Sequence, residues 1–264
     1  MKSRCYVWLS VLFVLAGWNA AAAPALDSGK FAAIEHAVTN AIGEQRCPGA
    51  VVWIERNGEI YEQAFGQRAL VPQAEPMTTN TVFDVASLSK VLATTPSMMK
   101  LIERGQVRLD EKVSTYLPEF TGGGAENITI RHLMTHTSGL RAGISNLPFD
   151  DYRSGIAQAV KEKPNASPGT LFRYSDINFI LLGEVVQRVS GKRLDEFAAA
   201  EIWRPLGMND TRYLPPVSWK ERIAPTENGL RGAVHDPTSR RMGGVTGHAG
   251  VFSTATMCSP WRPV

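Results

Sequence analysis

A chain of 264 residues, 44% hydrophobic and 20% charged, has ordinary globular composition and enough apolar residues for one sizeable domain. Its 28 basic and 25 acidic side chains leave a formal charge of +3, to which Lys2 and Arg4 at the extreme N-terminus contribute two. Such near-neutrality argues against a nucleic-acid partner, which needs a basic face to displace counterions, and no run of like charges marks an interaction tail.

The first 25 residues have the layout of an export signal, with Lys2 and Arg4 ahead of an apolar stretch from Tyr6 to Trp18 and small residues from Ala20 to Ala25. Cleavage after Ala22, Ala23 or Ala25 fits the small-residue rule. The apolar stretch is short for a membrane span, so no stable membrane anchor is expected and the mature chain is placed outside the cytoplasm, secreted or periplasmic. Cys5 leaves with the signal. Cys47 and Cys258 have neither metal-site spacing nor the density of a disulfide framework, and are expected to be free thiols.

The mature chain opens with a helix from Asp27 or Ser28 to about Arg46, with Phe31, Ile34, Val38 and Ile42 on one face. A strand over 49–56, the turn Asn57-Gly58 and a return strand over 59–67 form a hairpin. Asp84 leads into a helix reaching about Arg104 and ended by Gly105. A short amphipathic helix is expected over 109–117, a flexible break at Gly122-Gly123-Gly124, and helices over 128–135 and 150–162. A longer helix starts at Asp176 or Ile177 and ends before Gly191, and another runs over 194–203. Residues 208–240 show no periodicity, and Gly250-Val251-Phe252-Ser253 has strand character. A strand pair, then helices, then a strand predicts an α+β domain over 26–256, an antiparallel sheet with an inserted helical lobe.

Three features can carry chemistry. In Ser87-Leu88-Ser89-Lys90, helical spacing sets Ser87 and Lys90 on one face. A serine hydroxyl becomes a nucleophile when a nearby base takes its proton, and a desolvated amine can serve. Tyr174-Ser175-Asp176 offers a phenol as a second proton-transfer group and an aspartate able to cap the following helix. Gly247-His248-Ala249-Gly250-Val251 offers a glycine-rich strand edge where the N–H of Val251, with that of Ser87, could bind an oxyanion. His132 and His136 stand four apart like a metal pair, but no H-E-x-x-H pattern joins them and they are read as structural; no metal or cofactor is expected.

In this order and spacing the three features resemble the serine β-lactamase and penicillin-binding protein family, specifically its class C β-lactamase, D-alanyl-D-alanine carboxypeptidase and family VIII esterase branch. The likeness extends through Cys47–Val52, Phe83–Lys90, Ile128–Leu140 and Tyr174–Phe179, and covers about residues 28–256. It implies that Ser87 is acylated, that Lys90 and Tyr174 share the base and acid roles, and that His248 and Gly250 stand in the strand that borders the substrate. Asp176 replaces the commoner asparagine of the second motif; an ionised carboxylate only accepts hydrogen bonds and adds negative charge beside Lys90. The implied substrate is an ester, a β-lactam or a cell-wall D-amino-acid peptide; the alternative is an inactive relative, a peptidoglycan-binding remnant. Nothing in the sequence fixes the oligomeric state.

The likeness stops near residue 256. Family members continue with two further strands and a C-terminal helix, whereas residues 257–264 resemble no family segment. The resemblance therefore implies a chain cut short, with open sheet edges, poor folding and little activity.

Overall fold

The computed structural model describes residues 26–258; the expected signal over 1–25 and the end of the tail, 259–264, lie outside them. Helix α1 (Phe31–Gly43) leads into strands β1 (Gly49–Arg56), β2 (Glu59–Ala69) and β3 (Glu75–Pro76), followed by β4 (Phe83–Asp84). A helical lobe comes next: α2 (Thr95–Glu103), α3 (Val113–Tyr116), α4 (Ile130–Met134), α5 (Tyr152–Ala159), α6 (Asp176–Ser190) and α7 (Leu194–Ala198). Strand β5 (Arg212–Tyr213), helix α8 (Pro237–Arg241) and strand β6 (Val251–Ser253) return the chain to the second sheet. The predicted α+β architecture with an inserted helical lobe is what forms.

Among the described residues two antiparallel three-stranded sheets are present, ordered β1-β2-β3 and β4-β6-β5. The hairpin has the expected register, Arg56 opposite Glu59, because Asn57 and Gly58 both take positive φ (53° and 81°), matching the twist of a two-residue turn. Strand β6 is central in the second sheet, although its partners lie more than 160 and about 40 residues away in sequence. An open groove of about 860 Å³ separates β1 from this sheet, with Ala50, Val51 and Trp53 on one side and Phe83, Val85 and Ser253 on the other. Among the described residues β1 pairs with β2 alone.

The core sits in the helical lobe. Helix α6 is its axis, with ten residues from Ile177 to Val186 buried, packed with Leu101, Phe120, Leu133 and Phe197. A helix apolar on every side belongs in an interior, and its neighbours complete the burial. Helix α1 differs: no residue of it is buried, and its stripe is half-covered, with Phe31 stacked on Tyr61 at 4.2 Å. Several helices are shorter than their periodicity suggests. The stretch expected over 109–117 is helical only at 113–116, and the one over 128–135 only at 130–134. Residues 208–240 are less irregular than expected, since they contain β5 and the start of α8. The tail turns once at Thr256–Cys258, and Thr256 Oγ1 donates to Glu62 Oε1 on β2 at 2.6 Å. Cys47 and Cys258 are free thiols. No described helix is long and apolar enough to cross a membrane.

Candidate active site

The nucleophile candidate sits on a tight turn rather than in a regular α-helix. Ala86 takes a left-handed φ of 46°, unusual for a residue with a Cβ, and its N–H is held by Asp84 Oδ1 at 2.8 Å. Residues Ala86–Leu88 form one 3₁₀ turn, Lys90–Thr94 a π-helical turn, and α2 follows. A 3₁₀ turn brings residues three apart into line, which aims the Lys90 amine at Ser87. Lys90 Nζ lies 3.0 Å from Ser87 Oγ.

Lys90 is deeply buried, its side chain 4% exposed, and its ammonium has three acceptors: Ser87 Oγ, Asp176 Oδ1 at 2.7 Å and the His248 carbonyl at 3.1 Å. An ammonium has three donors, so all are used. The negative charge expected from Asp176 is thus in contact with the amine. Asp176 opens α6, and its position there is fixed by Ser175, whose hydroxyl donates to the Arg141 carbonyl at 2.5 Å.

Tyr174 reaches the site with its ring rather than its hydroxyl. The ring stacks on His136, centroids 4.5 Å apart, and Lys90 Nζ lies 4.8 Å from its centroid. Among the described residues the phenol oxygen has no hydrogen bond, so the direct proton link to Ser87 and Lys90 expected from the sequence is not formed in this arrangement. The cause is His136, whose imidazole holds the ring face toward the ammonium. His136 itself takes a positive φ of 57°, and its Nδ1 accepts from the Ser175 N–H at 3.1 Å. The Nδ1 of His132 faces the Thr129 N–H, closing a capping box on α4. The helix ends at Met134, so the two histidines do not share a helical face, and both Nδ1 atoms serve backbone groups.

The Gly247–Val251 segment comes to the site in an unexpected way. Gly247 is needed for packing: a Cβ there would stand 1.8 Å from the Phe179 carbonyl oxygen of α6, and Gly183 faces it from the helix. The close approach predicted for a substrate is thus taken by α6. Gly250 has φ 118° and its Cβ position is blocked by the Gly244 carbonyl at 2.3 Å. Val251 corrects the oxyanion expectation. Its N–H donates to the buried Ser89 hydroxyl at 3.0 Å and its carbonyl accepts from Val85, because β6 is clamped onto the nucleophile turn.

His248 lends its carbonyl to Lys90 but turns its ring inward, where it is 1% exposed. Nε2 meets Asp236 Oδ1 at 2.9 Å and Nδ1 meets Thr246 Oγ1 at 3.0 Å. Burial raises the Asp236 carboxyl, but the His248 hydrogen bond and charge, the Ser239 N–H and the Lys90 charge outweigh it and leave Asp236 below the usual carboxylate range. Asp236 is the site residue that sequence reasoning missed. Its signal was present: Asp-Pro is an N-cap followed by the favoured first helical residue, and Asp236 does cap α8 through the Ser239 N–H at 2.6 Å. Asp176, Asp236 and His248 place their donor atoms within 4.8 Å of one another, with the Lys90 ammonium against Asp176.

A model of the β-lactamase family matches residues 33–258. The chain is 29% identical over 240 residues to a putative D-alanyl-D-alanine carboxypeptidase of Escherichia coli K12, covering 76% of this chain and 55% of the relative. It therefore spans about half the length of the curated relatives it matches. Among solved structures it is similar to a class C β-lactamase (TM-score 0.74, 25% identity, 89% of this chain and 64% of that one). It is likewise similar to a hydrolase with promiscuous acyltransferase activity (TM-score 0.72, 25% identity, 86% and 70%). With the match running from α1 to the turn after β6, the chain belongs to the β-lactamase family, in its serine β-lactamase and penicillin-binding protein group.

Proposed function

We propose that this chain is a serine hydrolase that forms an acyl-enzyme on Ser87, and that it acts outside the cytoplasm, in the periplasm or secreted. The observation that carries the reading is the 3.0 Å contact between the Ser87 hydroxyl and an amine shielded from water. Ser87 Oγ attacks an acyl carbonyl while its proton passes to Lys90, once the ion pair with Asp176 has parted and Lys90 has given up a proton to water. The leaving oxygen or nitrogen takes a proton back from the amine, and water repeats the sequence to free the acid. Tyr174 joins the relay once its ring rotates off His136. The oxyanion is held by the N–H of Ser87.

The substrate is an ester, a β-lactam or a D-amino-acid peptide, the range that the family resemblance supports. A fluorophosphonate or fluorescent penicillin should label the protein, and the label should vanish in Ser87→Ala. Labelling that survives the substitution, or none in folded protein, rejects the reading. A second reading, a non-catalytic binder of cell-wall peptide, draws support from the Lys90–Asp176 ion pair and the engaged Val251 N–H; binding of a D-Ala-D-Ala peptide without hydrolysis would favour it.

A further inference from the structure

Resting on that reading of Ser87, we infer that the site selects an acyl donor that carries no carboxylate. It is a site for uncharged, apolar esters, and it discriminates against anionic acyl compounds. Asp176, in contact with the Lys90 ammonium, and Asp236 have carboxylate oxygens within 4.8 Å of one another, and their side chains are 33% and 29% exposed, so solvent reaches both. One buried ammonium, that of Lys90, lies against Asp176. His248 supplies no further hold for an anion, since its ring is enclosed and both nitrogens are engaged by Asp236 and Thr246.

The cations nearest in sequence are engaged elsewhere. Arg141 is paired with Glu162, and Arg240 donates to the carbonyls of Val234 and His235. Arg173, beside Tyr174, makes no ion pair among the described residues and is the remaining cation to be controlled for. An anion entering here gives up water next to two negative charges, and such like-charge contact is how a site rejects a competitor. Apolar side chains adjoining the site residues are exposed: Leu88, which follows Ser87 in the chain, is 52% exposed, Phe172, edge-on to His136, is 69% exposed, and Tyr174 is 46% exposed. Such side chains gain from being covered by an apolar group of a substrate. Penicillins and peptides ending in a free D-amino acid both carry a carboxylate next to the scissile bond, whereas simple esters do not.

The test compares p-nitrophenyl hexanoate with mono-p-nitrophenyl adipate, equal in chain length and differing by a terminal carboxylate. Each kcat/KM is divided by the ester's rate with hydroxide. Fluorophosphonate labelling of Ser87 is measured on the same preparation and reports on the hydrolase reading separately. The expected ratio is at least about tenfold in favour of the hexanoate, narrowing in 0.5 M salt as the field is screened. It should also narrow in Asp236→Asn and stay unchanged in Arg173→Ala. Equal rates, or faster turnover of the adipate, in protein that labels at Ser87 overturn the inference. A ratio indifferent to salt and to Asp236→Asn overturns its electrostatic basis. Failure to label overturns the hydrolase reading and removes the inference with it.

Discussion

Lys90 meets three acceptors with one ammonium, and the chemistry of the site depends on which of them it releases first. The ion pair with Asp176 must part before a free amine faces Ser87. Asp176→Asn removes that charge while keeping an acceptor in place, and it should speed fluorophosphonate labelling of Ser87 by several-fold; slower labelling would assign Asp176 an active part in the proton transfer. Gly247 tests the packing side of the same site. Placing a methyl 1.8 Å from the Phe179 carbonyl forces backbone movement, so Gly247→Ala should cost about 2–3 kcal/mol and lower Tm by roughly 5–10 °C. Ser87, Lys90, Asp176 and the His248 carbonyl, which meet here, were legible as motifs because helical spacing and strand glycines have sequence signatures. The ring orientation of Tyr174 and the occupation of the Val251 N–H were not, because His136 and Ser89, which decide them, act through contacts made only after folding.

At the scale of elements, the turn from Ala86 to Thr94 differs most from expectation. A 3₁₀ turn passing into a π turn replaces the first turns of a plain helix, and such irregular turns recur at functional sites. Thr94 secures the π turn by donating to the Gly247 carbonyl at 2.7 Å, so helix and glycine segment position each other. The link between α4 and α6 runs through His136 and is pH-sensitive. Burial lowers the His136 imidazole below its ordinary 6.5, the Lys90 charge adds to this and Asp176 opposes it. His132 is lowered too, by burial and then by Arg131. The folded state then binds fewer protons than the unfolded chain below pH 6.5, so the stability is fully present above that value and is lost as pH falls from it through the lowered folded-state values. The urea midpoint should drop between pH 7.5 and 5.5, and His136→Asn, compatible with the positive φ at 136, should flatten part of the drop. An unchanged pH dependence in that variant would remove His136 from the account.

Across the whole molecule, burial is uneven. Ten consecutive residues of α6 are buried and none of α1 is, while β1 borders an open groove and pairs on one side. Local stability follows buried apolar contact, so amide exchange should be slowest in α6 and faster by orders of magnitude in α1 and along β1. Uniform protection across the hairpin and α6 would show that α1 and β1 are as firmly held as the lobe. By itself, the sequence determined the hairpin and its register, the long core helix and the pairing of Ser87 with Lys90. Each of these follows from spacing between residues close along the chain, where backbone geometry leaves few choices. Only the tertiary structure decided which strands flank β6, that Asp236 stands behind His248, and which way Tyr174 and Val251 face. Those depend on groups brought together across 12 to more than 160 residues, where competition among buried hydrogen-bond partners, which no local periodicity records, fixes the outcome.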